Sequence, residues 1–159
     1  MMDENSELSA ADKVGRALVH MVRRAEEAQE QAARVHGLHP TDFRCIGYLE
    51  NRNDRASPKD IAAFLGLTSG AVTALLDRMD KAGFIQRVPN PDDRRGVLIV
   101  LDTEAAAGPL SHYRGAQERY AAATSEFSEA DLEVIAKYLT QVSNLTEMLN
   151  ESLYPPQST

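Results

Sequence analysis

The sequence predicts a mainly α-helical fold with one small β-hairpin. Three observations carry this. Apolar residues recur at helical spacing along most of the chain. Two β-rich runs, residues 84–88 and 97–101, flank a single turn-rich loop. Gly37, Gly66 and Gly83 each follow the last apolar position of a helical run, where a left-handed residue ends a helix.

The first helix is predicted from about Leu8 to Val35. Leu8, Ala11, Val14, Leu18, Met21, Val22, Ala25, Ala28, Ala32 and Val35 keep helical spacing, with charged residues between them. A helix of about 28 residues is a rod of about 42 Å. That is longer than the core of a small domain covers. It is either the core helix of a bundle or a helix shared with a partner subunit, and its length and alanine content favour sharing.

Thr41 is placed as the cap of a short second helix with Phe43, Ile46 and Leu49 on one face. Residues 51–55 read as a polar loop. Ser57-Pro58 then opens a third helix, Ser as N-cap and Pro at the first helical position, with Ile61, Ala62 and Leu65 inward. Thr68 caps a fourth helix running to about Ala82, with Val72, Leu75, Leu76 and Met79 inward. The hairpin follows, its tip in residues 89–96.

A fifth helix is expected from Ala105 to about Thr124, with Gly108-Pro109 bending it or delaying its start. Ser128 and Asp131 stand at capping-box spacing before the last helix, whose stripe is Leu132, Ile135, Leu139, Val142, Leu145 and Leu149.

Residues 57–101 therefore run helix, glycine turn, helix, glycine turn, hairpin: a winged helix-turn-helix embedded in an α-helical frame. The first helix and its turn hold the second at an angle, so that the second fits a major groove roughly 12 Å wide. The candidate DNA-binding residues are Thr68, Ser69, Gly70, Thr73, Ala74, Asp77 and Arg78 on the second helix, and Arg87, Arg94 and Arg95 on the wing. Small hydroxyl-bearing residues suit phosphate oxygens and close backbone approach. Thr73 and Ala74 suit base edges, and arginine at a hairpin tip suits a narrow minor groove. Arg78 has a second role open to it, pairing within the protein. Asp93 is the expected stabiliser of the wing tip.

Charge supports this only weakly. The chain carries −7, with nine Lys/Arg against seven Asp/Glu in residues 44–100, a local +2 that leaves the flanks at −9. The field near the contact surface matters more than the total. The acidic flanks keep a second class open, a winged module that binds proteins and not DNA.

The stretch from Ser57-Pro58-Lys59-Asp60-Ile61-Ala62 through Leu65-Gly66-Leu67-Thr68-Ser69-Gly70-Ala71-Val72-Thr73, Leu76-Asp77-Arg78-Met79, Gly83-Phe84-Ile85 and Arg87 to Asp93-Arg94-Arg95 resembles the MarR family (multiple antibiotic resistance regulators). Asp93 and Arg95 match its wing signature, and Met79 stands where the family usually has Leu. His39-Pro40-Thr41-Asp42-Phe43 is similar to the start of the family's second helix. The resemblance spans about Leu8 to Leu149.

The resemblance implies a homodimer whose first and last helices interlock. It places residues 8–36 and 103–153 in a dimerisation region and residues 40–101 in a DNA-binding region, within one compact chain. It implies double-stranded DNA with a pseudo-palindromic operator, its half-sites ~10 bp apart. It further implies a transcriptional regulator, most often a repressor, released by a small phenolic or aromatic ligand between the frame and the DNA-binding region. A coupling of ~1–3 kcal/mol would change DNA affinity about 5–150-fold.

Other chemistries find little support. No Gly-rich phosphate loop, nucleophile elbow or zinc-protease motif occurs, so no enzyme and no cofactor are expected. His20, His36, His39 and His112 are scattered without a metal-ligand cluster. His36, His39, Tyr48 and Tyr113 are candidates for lining a ligand cleft, against plainer core or surface roles. Some relatives sense oxidants through a cysteine in the first helix. Cys45 falls in the second, where a buried inert thiol is the simpler reading and a redox-sensing regulator the alternative. One cysteine, no secretory leader and no apolar run of about 18 residues point to a cytoplasmic protein without a membrane span.

Overall fold

The structure is a computed structural model that describes residues 8–93 and 96–153. The elements run α1 (Ala10–Val35), α2 (Pro40–Glu50), β1 (Arg55–Ala56), α3 (Pro58–Leu65), α4 (Ser69–Lys81), β2 (Ile85–Pro89), β3 (Val97–Leu101), α5 (Ala107–Ala123), a 3-10 turn (Thr124–Glu126) and α6 (Glu129–Leu153). They divide into two units, residues 1–114 and 115–159, with the boundary inside α5.

Local chemistry sets most of the boundaries. Ser9, Ser57 and Thr68 each accept a hydrogen bond from a backbone N–H in the first turn of the helix that follows. Ser128 and Asp131 form a reciprocal capping box: the Ser128 N–H donates to Asp131 Oδ2 (3.2 Å) and the Asp131 N–H to Ser128 Oγ (3.3 Å). The shorter Asp does the work usually given to Glu.

Three expectations need correcting. α2 is capped by His39, not Thr41: His39 Nδ1 accepts from the Thr41 N–H at 3.3 Å, and Pro40 takes the first helical position. The loop expected at 51–55 ends in β1, which pairs antiparallel with β3 through Arg55–Val100 and Ala56–Ile99. Asn53 and Asp54 take left-handed φ values of 55° and 63° to turn the chain into it. α5 begins two residues late, because Asp102 Oδ1 holds the backbone N–H groups of Glu104 and Ala105 in a preceding turn. Pro109 then falls in the first helical turn, where no N–H is needed.

The sheet order is β1-β3-β2, so β3 is central. The main core of the first unit lies between this sheet and α2, α3 and α4. Ile46, Leu49, Ile61, Leu75, Met79, Ile85, Ile99 and Leu110 are fully buried there. Each contributes ~1.5–3 kcal/mol by leaving water. A smaller cluster seats Phe43 on Ala32 and Ala33 of α1. Val35, expected on that face, is exposed.

Much of the apolar surface of the long helices is uncovered. Val14, Met21 and Val22 of α1 are exposed, as are Ile135, Leu139, Leu145 and Leu149 of α6. Among the described residues no single helix is long and apolar enough to cross a membrane.

Candidate nucleic-acid interface

Between α3 and α4 the chain bends by 109°, the angle of a helix-turn-helix. Gly66 makes the turn at φ 65°, and Leu67 N–H closes back onto Ala62 O at 2.9 Å. A side chain at that φ is strained, so glycine suits the tight stop. Val72, Leu75, Leu76 and Met79 anchor α4 in the core. Ser69, Gly70, Thr73, Ala74 and Asp77 are left together on its exposed face.

That face is shallow and rich in hydroxyls. Thr68 Oγ1 accepts from the Ala71 N–H (3.3 Å), and Thr73 Oγ1 donates to Ser69 O (2.9 Å). Each hydroxyl keeps bonding capacity for an outside partner. A Cβ at Gly70 would meet nothing within 4 Å. The fold therefore has no steric need for glycine there, although glycine in a helix costs about 0.5–1 kcal/mol against alanine. What the missing side chain provides is room for something approaching from outside.

The two described arginine candidates are held within the protein. Arg78 Nε and Nη2 donate to Asp42 Oδ2 and Oδ1 at 2.7 and 2.5 Å. Asp42 is only 3% exposed, so its charge is balanced by this bidentate pair. Hydrogen bonding to Asp42 pushes the Arg78 pKa further above its ordinary value. Of the two roles open to Arg78, the internal one is thus occupied. Arg87 hydrogen-bonds Asp77 and lies 3.8 Å from Asp80, which ties β2 to α4.

Arg94 and Arg95 lie outside the described residues. Around them the wing is shaped by Asn90, whose Oδ1 accepts from the Asp92 N–H at 3.0 Å, and by Gly96, whose N–H donates to Asp93 O at 2.8 Å. Asp93 thus contributes through its backbone carbonyl. Asn90 was missed from sequence, although an Asn two residues before a turn N–H is its signal.

The ligand-cleft candidates separate. His36 and Tyr113 come together around Phe43, with His112, where α1, α2 and α5 meet. Tyr113 stacks on Phe43 at 4.5 Å and donates to Phe43 O at 2.9 Å. Burial raises the pKa of its phenol. His36 and His112 ring centroids lie 6.3 and 6.0 Å from that of Phe43. His39 is elsewhere, capping α2. Tyr48 stacks on Phe64 at 4.2 Å, away from the cluster. Cys45 is fully buried, and burial together with the nearby Asp42 charge pushes its thiol up to about 12.

A helix-turn-helix followed by a two-stranded wing defines a winged helix-turn-helix protein. The MarR family model matches residues 36–96. The uncharacterized HTH-type transcriptional regulator YcgE of Bacillus subtilis is 32% identical over 118 residues, 74% of this chain and 76% of that one. The multiple antibiotic resistance protein MarR of Salmonella typhimurium is 30% identical over 101 residues, 63% of this chain and 65% of that one. The solved structure of wild-type MarR from E. coli matches with TM-score 0.56 at 25% identity, over 80% of this chain and 95% of that one. A mutant E. coli MarR complexed with operator DNA shares the fold with TM-score 0.54 at 24% identity, over 85% and 99%. The chain belongs to the MarR family of DNA-binding transcriptional regulators, and it is not an enzyme.

Proposed function

We propose that the chain is a homodimeric, sequence-specific repressor that acts in the cytoplasm and reads a pseudo-palindromic operator with α4. The observation that carries this is the exposed face of α4, where Ser69, Gly70, Thr73 and Ala74 present hydroxyls and open space and no bulky group. Thr68 and the first N–H groups of α4 suit phosphate oxygens, and Thr73 and Ala74 suit base edges. Arg94 and Arg95 are assigned to the groove beside the wing, with Asp93 supporting the tip.

Residues 8–36 and 103–153 serve as the dimerisation region and residues 40–101 as the DNA-binding region. The uncovered apolar stripes of α1 and α6 support this, since such stripes are normally buried against a partner. A small phenolic or aromatic ligand relieves repression, and the aromatic junction of His36, Phe43, His112 and Tyr113 is where a ring would stack. Redox sensing through Cys45 loses support, because a buried thiol held protonated is a poor nucleophile.

The test is a gel shift with the upstream intergenic DNA, repeated with Thr73→Ala. Binding that keeps its strength but loses sequence discrimination in the variant supports base reading by Thr73. Equal loss on all sequences reassigns Thr73 to phosphate contact. No binding by the wild type favours a protein-interaction module.

A further inference from the structure

Arg87 projects from β2 to the carboxylates of α4. It donates a hydrogen bond from Nη2 to Asp77 Oδ1, and its Nε lies 3.8 Å from Asp80 Oδ2. Asp77 and Asp80 are three residues apart on one helix, so a single guanidinium lies between neighbouring carboxylates. Asp77 also follows Thr73 by one helical turn, on the exposed face assigned to DNA, and its side chain is 62% exposed. A carboxylate there opposes phosphate. Its placement needs a reason beyond stability, since exposed ion pairs contribute little to folding.

We propose that Asp77 and Asp80 are specificity-determining residues that hold Arg87 back from DNA phosphates, which suppresses binding to sequences α4 does not recognise. This rests on the DNA-binding reading above. Non-specific affinity comes from counterions released when protein cations neutralise phosphates. A guanidinium already neutralised by a carboxylate of its own protein releases none until that pair opens. Arg78 is withheld in the same way by Asp42. Of the three cations on α4 and β2, only Lys81 lacks a carboxylate partner among the described residues. The cations of α4 and β2 therefore offer little bulk attraction for duplex DNA, and contacts from Thr73 and its neighbours must supply the difference between a right and a wrong sequence. The weak basic excess of the segment, only +2, follows the same logic.

The test uses the full chain, a random-sequence duplex and the upstream intergenic duplex, with binding followed by fluorescence anisotropy across a salt series. Asp77→Asn/Asp80→Asn should bind the random duplex more tightly, and its slope of log affinity against log salt should steepen by about 0.9, one added phosphate contact. In an Arg87→Gln background the same two substitutions should leave the slope unchanged. An equal gain in both backgrounds would show simple charge repulsion and overturn the proposal, as would an unchanged slope in the double variant. If wild type and variants bind neither duplex, the DNA-binding reading falls and this inference with it. Normal wild-type binding with an unchanged slope in the double variant removes this inference alone.

Discussion

Arg78 of the candidate recognition helix closes a bidentate ion pair on Asp42 of α2, a carboxylate otherwise sealed from solvent. The pair sets where α4 sits against α2. Its two halves are unequal, because Asp42 is buried while the Arg78 side chain is 49% exposed. Arg78→Ala strands a buried charge and should cost about 3 kcal/mol, the low end for breaking a buried pair. Asp42→Asn keeps one acceptor and releases Arg78 to water, so it should cost about 1 kcal/mol. Urea unfolding of both variants checks the order, and a larger loss in Asp42→Asn would contradict this account of the pair.

The raised pKa of Cys45 has a pH consequence with a definite sign. The thiol is pushed from 9.0 to about 12 in the folded chain, so the unfolded chain loses its proton first. The contribution is fully present below pH 9 and declines as pH rises through the window up to about 12. Within that window the slope approaches ~1.4 kcal/mol per pH unit for this group. Cys45→Ala should flatten the alkaline decline in thermal stability. Native wild type should also react slowly with a thiol reagent at neutral pH, and rapid labelling of the folded protein would refute the buried-thiol reading.

Gly47 matters for the space it leaves. A Cβ there would lie 2.5 Å from Tyr113 Cζ, and that ring is already stacked on Phe43. Gly47→Ala should therefore destabilise by about 1–3 kcal/mol through overpacking. In a Tyr113→Ala background the penalty should vanish. A thermal-melt double-mutant cycle measures this coupling.

Gly70 should show the opposite pattern. With open space around its missing Cβ, Gly70→Ala should leave the fold as stable or raise it by up to about 1 kcal/mol. Affinity for operator DNA should nevertheless fall about tenfold or more, as one lost close contact worth roughly 1.4 kcal/mol requires. Stability and binding moving together would remove the approach argument.

What was legible in the sequence was local. Caps at Ser57, Thr68 and Ser128, stops at Gly37, Gly66 and Gly83, and the inward stripe of α4 all arise from interactions within a few residues. β1 was not legible, because two residues have no periodicity and exist as a strand only through β3. The His39 cap was hidden because imidazole is an uncommon acceptor at that position. At the candidate site, the exposed face of α4 followed from helical spacing. The carboxylates holding Arg78 and Arg87 did not, since Asp42 lies 36 residues from its partner and Asp77 lies 10 from Arg87. Pairings of that kind are decided by tertiary packing.

The central position of β3 bears on how the protein behaves in concentrated solution. Val-Leu-Ile-Val-Leu is an uncharged apolar run of the kind that stacks into aggregates when its edge is free. β2 pairs along the whole length of β3, and β1 covers Ile99 and Val100 on its other edge, which leaves little of that run open to a second molecule. Of the strands that do face outward, β1 is only two residues long, and β2 carries Arg87 and ends in Pro89, features that discourage edge-to-edge growth. The two-residue strand that starts at the last residue of the expected 51–55 loop is thus a guard against self-association, and substitutions that unpair it should first show as loss of solubility.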